Sequence, residues 1–308
     1  MKANWDYYRA KWFLGAVRRR IAHTYFKKYA GRDFLTAEAG NDLIYEAIMQ
    51  GDPFVAGRFG STELSIMANR EARENKRHMK CDDHRICELS GFFPENKELI
   101  DQFCMEMKKI IPELDLLASW YLPMEEFFVD RYMPEVKISK LTCVEPYAFQ
   151  KPWSSALQGK KVLVIHPFAE SIEKQYGKRE MIYPGTEILP QFELKVIKAV
   201  QTIAGEKDGR FENWFQALDY MKEQMYMTDF DVAVIGCGAY GMPLAVEAKR
   251  MGKIAVHMGG ATQLLFGIIG NRWMDNHTIM KFYNENWTRP DSTEVPERSK
   301  VVEDACYW

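Results

Sequence analysis

The stretch DFDVAVIGCGAYGMPLAVEAKRMGKIAVHMGGAT, residues 229–262, decides the fold. Residues 231–235 form a short apolar run, the pattern of a buried strand. Gly236-Cys237-Gly238-Ala239-Tyr240-Gly241 follows at once. From Met242 to Met251 the apolar residues take helical spacing, and Gly252 supplies a helix C-cap. Residues 254–257 are a second apolar run, closed by Gly259 and Gly260. Strand, glycine turn, helix and strand make a βαβ unit. The expected fold class is therefore α/β: a Rossmann-like, mostly parallel sheet flanked by helices.

The turn fits G-x-G-x-x-G in the right context, after a strand and before a helix. Glycines let the backbone approach a ligand closely, and the first free N–H groups of the helix favour a phosphate. Gly236, Gly238, Tyr240 and Gly241, with Gly259 and Gly260, are the candidate nucleotide-binding residues. A dinucleotide fold carries an acidic residue about 20 positions on, to hold the ribose. Here the second strand ends at His257 with no carboxylate. Three readings stay open: NAD(P) and an oxidoreductase, another nucleotide or phosphate ligand, or glycines serving only strand–helix packing.

A second junction of the same kind lies upstream. Residues 53–59, PFVAGRF, read as a strand that breaks at Gly60. Ser61 is placed to cap the next helix, which carries Glu63 in its first turn. Arg58 at the strand end suits bidentate contact with phosphate oxygens. Glu63 suits a divalent metal on a diphosphate, or else complements the helix dipole and pairs with Arg58. Two further residues stand at predicted strand ends, where open α/β sheets place ligands: Glu145 after residues 138–144, and His166 after KVLVI at 161–165. Either is a candidate general base.

The bulk composition bounds the rest. The chain has 308 residues, 47% apolar and 27% charged, with net charge -2. That is an ordinary soluble globular composition and argues against nucleic acid as a partner. No apolar run of about 18 residues is present, so no transmembrane helix is expected. The N-terminus lacks the continuous apolar core of a signal peptide, because Arg18, Arg19 and Arg20 interrupt it. Six scattered cysteines suggest reduced thiols and a cytoplasmic location. His78, Cys81, His84 and Cys87 recur every three residues, which fits one helical face better than a zinc knuckle.

Residues 1–34 read as a separate basic amphipathic helix. Trp5, Tyr8, Trp12, Ala16, Val17, Ile21 and Tyr25 recur at helical spacing, and eight Lys or Arg face one acid, Asp6, within residues 1–30. Such a face packs on the domain or on a second subunit, giving a homodimer. The alternative is the anionic inner face of a plasma membrane. Residues 35–272 are expected to form the Rossmann-like domain. Within them helices are expected at 36–49, 95–111, 124–131, 211–227 and 262–269, and strands at 114–120, 138–144 and 192–199. Residues 273–308, rich in Asn, Pro and charge, read as an irregular tail that wraps the domain and covers part of the cleft, anchored by Trp287, Tyr307 and Trp308.

At FVAGRFGSTEL (54–64) and again at 229–260 the chain resembles the GT-D-type glycosyltransferases of bacterial surface-polysaccharide and glycoprotein assembly. GKKVLVIHPF (159–168), GGATQLLFG (259–267) and ACYW (305–308) resemble a capsule or exopolysaccharide branch of that group. The resemblance implies a nucleotide-diphosphate sugar as donor, a UDP-sugar first among them, and a glycan or lipid-linked glycan as acceptor. It also implies Mn2+ or Mg2+ at an Asp-x-Glu motif. Here Glu63 matches the second carboxylate and Ser61 replaces the first. Arg58 and helix-terminal amides are the alternative stabilisers of the leaving diphosphate. A non-catalytic nucleotide-binding subunit of a polysaccharide assembly complex is the remaining reading.

Overall fold

The computed structural model describes residues 4–22, 28–79 and 81–308, the side chains of residues 15–22 excepted. Among them, nine strands form one sheet: β1 (Lys28–Tyr29), β2 (Arg32–Leu35), β3 (Phe54–Gly57), β4 (Leu116–Ser119), β5 (Lys137–Lys140), β6 (Lys161–His166), β7 (Glu193–Lys198), β8 (Val232–Ile235) and β9 (Ile254–His257). Their order across the sheet is β1-β2-β5-β4-β3-β9-β8-β6-β7. All pairs are parallel except the edge pair of β1 with β2.

The helices are α1 (Trp5–Ala22), α2 (Ala37–Gln50), α3 (Ser61–Glu74), α4 (His84–Ser90), α5 (Lys97–Ile110), α6 (Glu125–Tyr132), α7 (Ala169–Tyr176), α8 (Arg179–Ile182), α9 (Trp214–Tyr226), α10 (Gly241–Arg250), α11 (Thr262–Leu265) and α12 (His277–Met280). Residues 229–262 are thus β8, α10 and β9, and the two strands lie side by side with Val232 opposite Ile254. All four residues of β8 are buried. A parallel strand covered on both faces has no polar side, which is why it reads as an unbroken apolar run. Alternation along β8 sends Ala233 and Ile235 into a core with Leu244 and Met221. Val232 and Val234 enter a second core with Ile44, Ile172 and Leu264. Burial of each such aliphatic side chain contributes about 1.5–3 kcal/mol.

The path of the chain makes a crevice. From β3 it works outward through β4 and β5. It then crosses to β6 on the far side and returns inward through β8 to β9. Where the order reverses, the helices after neighbouring strands diverge and leave a gap above the carboxyl ends.

Several boundaries differ from the sequence reading. Arg32–Leu35 joins the sheet beside β5, so the N-terminal segment is not helix alone. Its Arg32 guanidinium donates to Val129 O at 2.8 Å and Met133 O at 2.5 Å, closing the carboxyl end of α6. Thr36 caps α2 as expected, accepting from Ala39 N at 3.1 Å. Ser61 does not cap α3: Gly60 holds that position and Ser61 is the first helical residue. Strand β5 stops at Lys140 and a 3-10 turn, Leu141–Val144, replaces its expected end. Of the His/Cys series, only His84 and Cys87 share a helix, and His84 pairs with Glu95.

Helix α1 docks through its first two turns. Trp5 packs edge-on against Phe127 at 5.0 Å, and Lys11 pairs with Glu126. Tyr7, Phe13 and Leu14 stay exposed. Ala16, Val17, Arg18, Arg19, Arg20 and Ile21 lie outside the described side chains, and Tyr25 outside the described residues. Beyond Trp273 the chain runs in short turns over the second core, where Trp287 and Trp308 are buried. Glu294 accepts from Glu170 N at 2.8 Å, satisfying a free donor at the start of α7. No helix among the described residues is long and apolar enough to cross a membrane. The six cysteines are unbridged.

Candidate active site

The carboxyl ends of β3, β9, β8 and β6, four neighbours in the sheet, open into one cleft of about 450 Å³. Arg58, Gly60, Ser61 and Glu63 line it from the first junction; Gly236, Gly238 and Tyr240 from the second; His166 and Gly260 from the other two strand ends. Residues from distant parts of the chain, Arg58 to Gly260 among them, thus meet at one place.

Arg58 is the cationic centre. Its guanidinium lies over the indole of Trp120 at 5.5 Å and donates to Phe59 O at 3.2 Å. Trp120 Nε1 donates to the same carbonyl at 2.9 Å, so the cation and its aromatic support are fixed together. Among the described residues no carboxylate forms an ion pair with Arg58, which leaves its donors for an anion. Gly259 explains how the side chain fits. Its φ is +65°, and a Cβ there would stand 2.6 Å from Arg58 Cζ.

Glu63 folds back over the start of its own helix: a Cβ on Gly60 would meet Glu63 Oε1 at 2.7 Å. Burial pushes its carboxyl up, while Arg58 and the Ser90 hydroxyl pull the other way. Gly238, at φ +58°, brings the turn against α4, since a Cβ would stand 2.6 Å from Ser90 O. Tyr240 stacks on Trp214 at 5.1 Å and 10°.

The other predicted residues divide. His166 is buried, and its Nδ1 accepts from Phe168 N at 3.0 Å. Burial lowers its pKa to about 3, so the ring is neutral with its proton on Nε2. It offers the cleft a donor and not a general base. Glu145 does not line the cleft. Burial pushes its carboxyl up, opposed by the charge of Arg58 and a hydrogen bond from Tyr147. Gly241 serves packing, because a Cβ would stand 2.5 Å from His257 Cδ2. Gly259 acts through Arg58 and does not itself line the space.

Sequence reasoning missed Trp120, Arg272, Gln263 and His257. An aromatic residue right after an apolar strand was a readable signal for Trp120; nothing local marks Arg272. Three lining residues carry buried polar atoms with no partner: His257 Nδ1, Gln263 Oε1 and Trp308 Nε1.

The donor set does not fit a resident divalent cation. Among the described residues no group of three His, Cys, Asp or Glu converges, and Glu63 stands alone in the first turn of α3 beside a guanidinium. Mg2+ commonly takes one or two protein carboxylates besides substrate phosphates, and Glu63 is the carboxylate that would hold one arriving with a diphosphate.

The sheet is that of a parallel α/β protein with its cleft at the switch point, where such folds place ligands. The GT-D-like family, a GT-D fold-like domain, matches residues 35–265, and this chain belongs to it. That membership points to glycosyl transfer; it lends no support to an oxidoreductase or a non-catalytic subunit. A comparison with curated proteins finds no match. Among solved structures, one described as the selenomethionine-substituted structure of domain of unknown function 1792 is similar at 13% identity and TM-score 0.47. The match covers 86% of this chain and 93% of that one.

Proposed function

We propose that this protein is a glycosyltransferase that moves a sugar from a nucleotide-diphosphate sugar, a UDP-sugar first among them, to a glycan or lipid-linked acceptor. The observation that carries the reading is the meeting of Arg58, free of any carboxylate partner among the described residues, with two strand–glycine–helix junctions in one cleft. Breaking the bond between sugar and diphosphate leaves negative charge on the departing oxygen. A preorganised guanidinium and the amide ends of α3 and α10 stabilise that charge as it develops. Glu63 is the proton acceptor for the incoming hydroxyl, since burial moves its carboxyl toward the range where acid–base catalysis works. His166 holds a substrate oxygen through Nε2–H. The capsule or exopolysaccharide setting in this proposal is supported by the motif resemblance at 159–168, 259–267 and 305–308, and a peripheral place on the inner membrane surface or a homodimer by the exposed Tyr7 and Phe13 of α1.

The test is calorimetry with UDP, other nucleoside diphosphates and NADH. Binding of one nucleoside diphosphate, lost in Arg58→Ala, supports the reading and names the base. Binding of NADH alone overturns it.

A further inference from the structure

The roof of the cleft is a strap, residues 302–308, folded in an improbable way. Glu303, Asp304 and Ala305 are consecutive and none is glycine, yet their φ values are 46°, 54° and 59°. Three successive left-handed L-residues are strained, and such strain persists only where surrounding contacts impose it. Arg272 N donates to Cys306 O at 2.9 Å, Asn271 Nδ2 to Ala305 O at 3.2 Å, and Gln263 Nε2 to Tyr307 O at 3.0 Å. The Arg272 guanidinium lies over the Tyr307 ring at 4.7 Å, donates to its hydroxyl at 3.1 Å and pairs with Glu303. In turn Tyr307 presses on Gly260, where a Cβ would come within 3.1 Å of Cδ1.

Arg272, Glu303 and Tyr307 all line the cleft. The space therefore has a second guanidinium besides Arg58, and that one is occupied by an acid from the roof. The pair is solvent-accessible, with side chains 40% and 55% exposed, so its carboxylate is readily exchanged.

We propose that Arg272 is a second diphosphate-binding residue of this cleft, and that Glu303 holds it as an internal anion until a ligand's diphosphate takes its place. The exchange frees the strained turn from one of its restraints. This rests on the transferase reading, since it concerns the same cleft. A diphosphate reaches such a cleft either on the nucleotide donor or on a lipid-linked acceptor, and the recognising chemistry is shared.

Calorimetry of the full chain with UDP, geranyl diphosphate and uridine tests it. Glu303→Gln keeps the size and removes the competing charge. It should tighten at least one diphosphate about threefold and leave uridine unchanged. Arg272→Gln should weaken the same ligand roughly tenfold or more. Arg272→Lys should recover part of that loss, which separates charge from folding. In the double variant Arg272→Gln/Glu303→Gln the threefold gain should vanish. A gain for UDP places Arg272 on the donor side; a gain for geranyl diphosphate alone places it on the acceptor side. Wild-type binding of UDP together with a Glu303→Gln variant that tightens neither UDP nor geranyl diphosphate, or a gain that survives in the double variant, overturns the exchange while leaving the transferase cleft intact. Absence of diphosphate binding in every variant overturns both.

Discussion

Replacing Gly259 by Ala separates the cleft from the fold. The new methyl would lie 2.6 Å from Arg58 Cζ and 2.5 Å from its Nε. Ordinary carbon contacts are about 3.5–4.0 Å, so the guanidinium must retreat by about 1 Å or more. It is the end of a flexible side chain, and that retreat costs little stability. The stability loss comes from the backbone, because φ at this position is +65°, and a left-handed non-glycine residue costs about 1–2 kcal/mol. For a domain of this size that lowers Tm by a few degrees, on the order of 2–4 °C per kcal/mol. Affinity should suffer far more. A charge-assisted hydrogen bond is worth about 1.5–3 kcal/mol, so losing the aim of Arg58 weakens a nucleoside diphosphate roughly 10- to 100-fold. Calorimetry with UDP, beside thermal melts of Gly259→Ala and Arg58→Ala, reads both quantities. The two variants should lose similar affinity, and only the glycine variant should melt lower. Gly259→Ala that binds UDP like wild type would refute the placement of Arg58 as the anion-binding group.

Glu125 is fully buried, accepts from Tyr29 Oη at 2.9 Å and is raised to about 7 by burial. Its folded pKa exceeds the ordinary 4.5, so the folded state holds the proton longer. Stability from this group is full below about pH 4.5 and is lost as pH rises to about 7, by about 3 kcal/mol in all. Denaturant titrations of Glu125→Gln should therefore gain on wild type between pH 4.5 and 8; a constant difference would contradict the burial argument. His166 and His257 behave with the opposite sign. Burial lowers both to about 3, so stability present above pH 6.5 falls as pH drops, by roughly 1.4 kcal/mol per unit and per histidine. In imidazole NMR both should remain neutral at pH 5, where the exposed His84, raised by Glu95, is protonated; a titration of either buried ring between pH 5 and 7 would count against the geometry. If Arg58 is the group that meets the diphosphate, as proposed, excess chelator should leave UDP affinity unchanged; an absolute requirement for Mn2+ would overturn that.

Residues 229–262 determined the centre of this protein without help from the rest. A strand buried on both faces must be apolar throughout, and a glycine turn must join it to its helix if the two are to pack closely. Those demands are local, so β8, α10 and β9 stand in the chain where the pattern put them. The same holds for β3, Arg58 and Glu63, whose positions at a strand end and a helix start are where the pattern put them. Tertiary structure decided what local pattern does not carry. The edge strand β2 is short and half-polar, and pairing with β5 alone makes it a strand. Gly60 takes the cap position expected of Ser61, and the Glu63 carboxylate lies where a Cβ at that point would stand. The backbone N–H of Phe168 set the tautomer of His166, and with it the change from base to donor. Trp120, Arg272 and the strap at 302–308 reach the cleft from three separate parts of the chain. Only the order of strands across the sheet brings them to one place, and sheet order is a property of long-range pairing that no single segment encodes.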